Sequence, residues 1–329
     1  MKRSARVASA PAKVILFGEH FVVYGTPALL AAVDRRTTAM ARNRDDDKIV
    51  IKSDIGASAE FTRKGFKILH GGKKAKAILD PIYDAIKRAR GEPAQSKGLQ
   101  VELKSDIPYG IGLGSSAASC VASIAAVDSL FDSHDRAWIC DRAVESERMI
   151  HKNSSGADCY ISTFGGVMRY SKDAGYKKIK AGKQLRLVVC STGIVHSTGS
   201  LVERVRKFRK ANLGKFNSLS EHADEICASA LQAIESGDFE TLGQLMTENQ
   251  QLLRQIGVSH NKAEALIALS LHAGALGAKL TGAGGGGAVI ALARSIKDSA
   301  RIAATMRKQG YDSMEVQIDC KGLLLQSRR

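Results

Sequence analysis

Aromatic residues are scarce in this chain, 5% of 329 positions with a single tryptophan. They are also scattered, too thin a set for a platform on which nucleic-acid bases could stack. No uninterrupted apolar run approaches the ~20 residues that cross a bilayer. Val14 to Phe17 is far too short for a signal-peptide core behind the basic start Met1-Lys-Arg-Ser-Ala-Arg6. The protein is therefore expected in the cytoplasm and off the membrane. Six cysteines (120, 140, 159, 190, 227 and 320) show no Cys-x-x-Cys spacing, which argues against a zinc site or a disulfide framework. Cys120 and Cys227 fall in helical patterns and read as core residues. No repeat, low-complexity tract or Pro/Gly/Ser-rich linker appears.

Acidic charge is in deficit: 33 Asp and Glu against 49 Lys and Arg give a formal net charge of +16. Such a surplus raises nucleic acid as a partner. The basic residues are dispersed, however, with only short clusters at Lys73-Lys74-Ala-Lys76 and from Arg204 to Lys210. Anionic small molecules suit the pattern better, and no nucleic-acid partner is expected.

The length suits one large or two medium domains. Paired strands are expected at 6–10 and 13–17, followed by a β-rich stretch to residue 62. A helix is expected over 75–90, where Ile78, Ile82 and Ile86 recur on one face. A strand at 99–103 and helices at 116–131 and 136–150 come next, then strands near 165–171 and 185–191. From 201 to 275 nearly every residue fits a helical period. The tail alternates strand 277–281, glycine run, strand 288–292, helix 296–309 and strands 313–318 and 322–326. The fold class is α+β. An N-terminal α+β lobe (1–184) would precede a helix-rich C-terminal lobe (185–329) closed by a small antiparallel sheet. Without a linker the two lobes would share an interface, where ligands often bind.

The strongest local signal is Asp106-Ile-Pro-Tyr-Gly-Ile-Gly-Leu-Gly-Ser-Ser-Ala-Ala118. A strand feeds it and an alanine-rich helix leaves it. Its glycines let the main chain approach a ligand. The N–H groups of Gly114, Ser115, Ser116 and Ala117 would open the helix without intrahelical partners. Those donors and the positive end of the helix dipole suit phosphate oxygens. The two serine hydroxyls could also reach a bound Mg²⁺. The loop is not a Walker A, because no Gly-Lys-Ser/Thr follows. Nor is it the dinucleotide fingerprint, because Ser115 stands at the third glycine position. The other reading is a capped helix after a glycine turn.

A second glycine run, Gly282-Ala-Gly-Gly-Gly-Gly287, precedes a strand rather than a helix. It reads as a loop between strands lying close to something large, or as a long glycine hairpin. Between the loops, Glu147 near a helix end opposes the local dipole unless it binds a cation. Asp158 follows Ser-Ser-Gly and could simply be an acidic residue in a first turn. Lys13 lies within an apolar strand, either solvated at an edge or held against a carboxylate. Glu19 and His20 follow a glycine and are turn residues or functional ones.

Together these segments resemble the GHMP kinase superfamily. Its three motifs stand here in order, over roughly residues 5 to 326. The strings Lys13-Val-Ile-Leu-Phe-Gly-Glu-His20, Glu147-Arg-Met-Ile-His151 with Gly156-Ala-Asp158, and Lys279-Leu-Thr-Gly-Ala-Gly-Gly-Gly-Gly287 are most similar to the mevalonate kinase branch, in its compact archaeal form. The resemblance implies a two-lobed fold with ATP and Mg²⁺ as cofactors and mevalonate as the small-molecule substrate. It implies that the backbone of Gly110, Ile111, Gly112, Leu113, Gly114, Ser115, Ser116, Ala117 and Ala118 wraps the phosphates. Ser116 and Glu147 would hold Mg²⁺. Asp158 would take the proton of the substrate hydroxyl or orient it, paired with Lys13. Glu19, His20 and Thr198 would bind the substrate, and Gly282, Gly284, Gly285 and Gly286 would line the cleft. A homodimer is implied by analogy. Two positions depart from the branch: Asn153-Ser154-Ser155-Gly156 replaces Asn-Pro-Ser-Gly, and Ser119 stands where tyrosine is common. The alternatives are a GHMP kinase acting on phosphomevalonate or another small alcohol, and a basic RNA-binding protein without enzymatic activity.

Overall fold

A computed structural model describes residues 5–62, 65–90, 98–131, 133–150, 155–194 and 198–326. The N-terminal part runs β1 (Arg6–Phe17), a 3-10 turn (Phe21–Tyr24), β2 (Ala28–Asn43), β3 (Ile49–Ser53), β4 (Ala57–Thr62) and β5 (Gly65–His70). It continues through α1 (Gly72–Arg90), β6 (Leu99–Ser105), α2 (Ser115–Phe131), α3 (Arg136–Ile150), α4 (Ala157–Phe164), β7 (Val167–Ser171) and β8 (Gly175–Ile179). Then come β9 (Arg186–Ser191), α5 (Thr198–Ala211), α6 (Leu213–Ser236), α7 (Phe239–Gln255) and α8 (Asn261–His272). The chain closes with β10 (Gly277–Thr281), β11 (Ala288–Ala293), α9 (Ile296–Lys308), β12 (Ser313–Gln317) and β13 (Leu324–Leu325).

The spine of the first sheet is β2. Its 16 residues pair with β1 along one edge, while the other edge is shared between β7 at Ala28–Ala31 and β6 at Thr37–Asn43. The sheet order is β13-β1-β2-β6-β3-β4-β5, with β7 and β8 branching from β2. Only the β3–β6 pairing is parallel among the pairings described. Residues 6–17 form one strand rather than the expected pair, and that strand pairs with β2 instead of folding on itself. Pro11 sits at a register shift, opposite Arg36, with Ala12 opposite Val33. A bulge absorbs the missing donor without ending the strand. Strands β5 and β8 were not expected, because Gly65–His70 is largely exposed and Tyr176–Lys178 is polar, so neither carries an apolar pattern.

The bulge has a second consequence. It thrusts Asp34 and Arg35 of β2 toward β12: Asp34 Oδ1 accepts from Gln317 N (3.0 Å) and Arg35 donates to the Glu315 carbonyl (2.7 Å). Arg36 then clamps the returning chain through the Ser9 carbonyl (2.7 Å), the Gly322 carbonyl (2.6 Å) and an ion pair with Asp319. Helix α2 is buried continuously from Ala117 to Asp128, and its small side chains let it lie between the sheet and its neighbouring helices.

The second sheet, β10-β11-β9-β12, is antiparallel throughout. Alternation along its strands buries both faces. Leu187, Val189, Leu280 and Ile290 join the main core, which also holds α6, α7 and the first sheet. Val188, Val289 and Ala291 face α8 and α9. One hydrophobic core therefore passes unbroken from the first sheet into the second.

Five cysteines lie in these cores and Cys320 is exposed. Burial pushes the thiols of Cys140, Cys190 and Cys227 up to about 12, and raises those of Cys120 and Cys159 as well. A thiol reagent applied to the native protein should modify Cys320 and spare the others, read by mass spectrometry. Rapid modification of any buried cysteine would contradict this packing.

Candidate active site

The two glycine loops meet beside β1. The loop before α2 is tied to that strand by Lys13 N donating to the Leu113 carbonyl (2.9 Å). Helix α2 begins its internal bonding with Ala118 N donating to the Gly114 carbonyl (3.0 Å), which leaves the amides of Ser115, Ser116 and Ala117 free of intrahelical partners. Ser116 is exposed and Ala117 and Ala118 are buried, so hydroxyl and amide donors face out while the helix body is anchored. Gly110, Ile111 and Gly112 carry the chain into this turn, and a side chain at Gly112 would meet nothing within 4 Å. Ser119, in place of the bulky tyrosine, turns inward and donates to the Ser115 carbonyl (2.8 Å).

Lys13 is buried and its Nζ lies 3.3 Å from Asp158 Oδ1. Of the two settings open to that lysine, the structure takes the one against a carboxylate. Gly114 seals the pair to the loop. At φ +73° a Cβ there would come 2.8 Å from Lys13 Cγ and 3.6 Å from Asp158 Oδ2, so only glycine lets the loop lie this close. Asp158 stands in the first turn of α4, where the helix dipole favours its charge. Tyr176 of β8 donates to the Ser155 carbonyl (2.7 Å) and steadies the entry to that helix.

Glu147 lies in the last turn of α3 and is 8% exposed. Its Oε2 accepts from Cys159 Sγ (3.6 Å), next to Asp158 in sequence. The Cys120 thiol feels the Glu147 charge from α2, one helical turn beyond Ser116. Ser116 at the start of α2 and Glu147 at the end of α3 each offer an oxygen ligand. That donor set fits a Mg²⁺ ion, which takes its other ligands from phosphate and water. Residues 151–154 between Glu147 and Asp158, and residues 195–197 before Thr198, lie outside the described residues.

Glu19 and His20 close the other side of β1, and both are buried. His20 Nε2 donates to the Ala283 carbonyl of the second glycine loop (2.9 Å). Its backbone sits at φ 61°, the one positive value among the described non-glycine residues. Such strain of a side-chain-bearing residue concentrates at functional sites. Glu19 pairs with Lys279 of β10, and Thr281 Oγ1 spans to β1 through Ile15 N (2.9 Å) and the Ile15 carbonyl (3.0 Å). Lys279 and Thr281 were not singled out as site residues. The available signal was a lysine amid the small and apolar residues Gly277-Ala-Lys-Leu-Thr281, the same cue that drew attention to Lys13.

Gly282, Gly284, Gly285 and Gly286 all adopt positive φ. The loop is packed rather than open: Gly285 N donates to the Val258 carbonyl (2.7 Å), and a Cβ on Gly284 would collide with that same oxygen at 2.3 Å. Thr198 opens α5 with an exposed side chain. A turn later, Leu201 abuts Gly285. No described contact joins Thr198 to Glu19 or His20.

A lysine–carboxylate pair under a phosphate-type loop, facing a second glycine loop, is the arrangement of a phosphoryl-transfer site. The sequence signature of the GHMP kinases N terminal domain spans residues 76–166, and that of the GHMP kinases C terminal spans 230–312. A mevalonate kinase from Thermococcus gammatolerans is 38% identical over 333 residues, covering 97% of this chain and 98% of that protein. One from Pyrococcus abyssi is 36% identical over 335 residues, covering 98% of each. The chain belongs to the mevalonate kinase family. Among solved structures, the L. major mevalonate kinase in complex with R-mevalonate is similar at a TM-score of 0.81. It is 27% identical and covers 94% of this chain and 95% of that one. The two-lobed α+β fold of the family is thus the fold seen here, with its helical C-terminal region and small antiparallel sheet.

Burial holds the His20 imidazole below its ordinary 6.5, opposed in part by its bond to Ala283. A lowered folded value means that the stability it contributes is complete above pH 6.5 and is lost as pH falls through that lowered value. The melting temperature of the wild type should therefore fall more steeply on acidification from neutral pH than that of His20→Gln. Parallel curves would remove His20 from this account.

Proposed function

We propose that this chain transfers the γ-phosphoryl group of ATP to the 5-hydroxyl of (R)-mevalonate, giving 5-phosphomevalonate and ADP. The observation that carries the reading is the Lys13–Asp158 pair at 3.3 Å, pressed against Gly114 of the phosphate-type loop. Phosphoryl transfer needs little covalent help from the protein and depends on positioning and charge neutralisation. The free amides of Ser115, Ser116 and Ala117 supply fixed donors for phosphate oxygens. Ser116 and Glu147 would hold Mg²⁺, which would supply neutralisation of phosphate charge when bound. Asp158, less buried than its partner at 28% side-chain exposure against 7%, accepts or orients the proton of the attacking hydroxyl. Lys13 holds that carboxylate in place, and offers positive charge to the oxygens that gain negative charge. Glu19 and His20 bind the acceptor in the seam between β1 and β10. Thr198 at the start of α5 completes the pocket from the far side of the second glycine loop. On this reading the lobes divide near residue 185, ahead of β9, with the tail after β12 returning to the first sheet.

The test is ADP release with Mg²⁺–ATP and mevalonate, 5-phosphomevalonate, galactose or homoserine as acceptor, with NMR of the product. Turnover on mevalonate with phosphate on its 5-oxygen is expected, and preference for another acceptor would displace the substrate assignment. Asp158→Asn should lower kcat by about 10²–10⁴-fold while leaving ATP affinity nearly unchanged. Equal loss of turnover and ATP affinity would refute the role given to Asp158.

A further inference from the structure

Glu19 and Lys279 face each other across the lobe seam, 1% and 0% exposed, from segments 260 residues apart. Lys279 Nζ donates to Glu19 Oε1 and to the Leu280 carbonyl (2.8 Å). Glu19 Oε2 is also buried, and it has no hydrogen-bond partner among the described residues. A carboxylate that commits one oxygen to a fixed ammonium and leaves the other unmet is an acceptor held ready for a donor. The surroundings define which side that is. Lys13 is close enough for its charge to act on Glu19, and the adjoining His20 is tied to Ala283 of the glycine loop. Thr281, on the same face of β10 as Lys279, is fixed to Ile15 and sets the register of the whole seam.

We propose that Lys279 is a positioning residue for the acceptor pocket, holding Glu19 by Oε1 so that Oε2 accepts a hydrogen bond from a hydroxyl of the bound alcohol. This rests on the reading of Glu19 as an acceptor-binding residue. A neutral donor could make the same bond, but only a cation keeps a carboxylate charged at this depth. Burial drives the Glu19 carboxyl up and the Lys279 ammonium down, and each opposes the other's shift.

The experiment is a double-mutant cycle in KM for mevalonate, with KM for ATP, kcat and melting temperature measured on each protein. Lys279→Met should raise KM for mevalonate by about tenfold or more while KM for ATP stays within about twofold. Because Lys279 acts through Glu19, adding Lys279→Met to Glu19→Gln should change KM for mevalonate by less than about twofold. An unchanged KM in Lys279→Met, or full additivity on the Glu19→Gln background, overturns the proposal. So does a uniform loss in which KM for ATP rises equally. If Lys279→Met does not fold, Lys279→Arg, which leaves no lone buried charge but changes the geometry of the pair, takes its place in the cycle with the same expected and overturning results. The wild type tests the underlying reading separately. If it prefers another alcohol, the same cycle is run with that alcohol. If it phosphorylates none, the proposal falls with the reading.

Discussion

A buried lysine must be paired, and the pairing of Lys13 organises the site. Removing an ammonium from water costs several kcal/mol unless a carboxylate and good geometry offset it. Here the carboxylate is Asp158, 145 positions further along the chain, delivered by the first turn of α4. That delivery requires α4 to pack against α3, and Gly156 permits it by sitting where any Cβ would strike Val144 at 2.7 Å. The backbone of Lys13 is spent on Leu113, so the same residue fixes the phosphate-type loop by its main chain and the carboxylate by its side chain. Three elements distant in sequence converge on one residue of one strand.

The second half of the site is built on the same strand a few residues later. Thr281, Lys279 and Ala283 engage Ile15, Glu19 and His20 in turn, so the second glycine loop is held against the first lobe by a polar bond, an ion pair and a strained histidine. Beneath that seam the hydrophobic core continues from one sheet into the other. The lobes are therefore joined by packing below and by directional polar contacts above, where ligands would enter. The net charge of +16, summed over the whole chain, favours the approach of anionic ligands such as nucleotide phosphates.

Features with a local cause could be read in the sequence. The loop before α2, the helices at 115–131 and 136–150 and the strands flanking the second glycine run follow from glycine placement and apolar period, which need no knowledge of distant partners. Lys13 was legible as an anomaly in an apolar strand, but spacing could not choose its partner. Lys279 was an equal anomaly and passed unremarked because Glu19 lies 260 residues away. That residues 6–17 form a single strand could not be read locally, because the bulge in β2 that accommodates Pro11 belongs to another segment. Thr198 was placed by resemblance. The structure brings its helix to the glycine loop through Leu201 and Gly285, not through a contact of the threonine itself.

On the proposed reading, one strand brings the phosphate loop and the acceptor pocket to a common point at Asp158. A crystal structure with Mg²⁺, a non-hydrolysable ATP analogue and (R)-mevalonate tests it most directly. The phosphates should lie against the backbone of residues 112–117, with the 5-oxygen of mevalonate within about 3 Å of the Asp158 carboxylate. Phosphates seated away from that loop, or a 5-oxygen turned away from Asp158 in a complete complex, would contradict it.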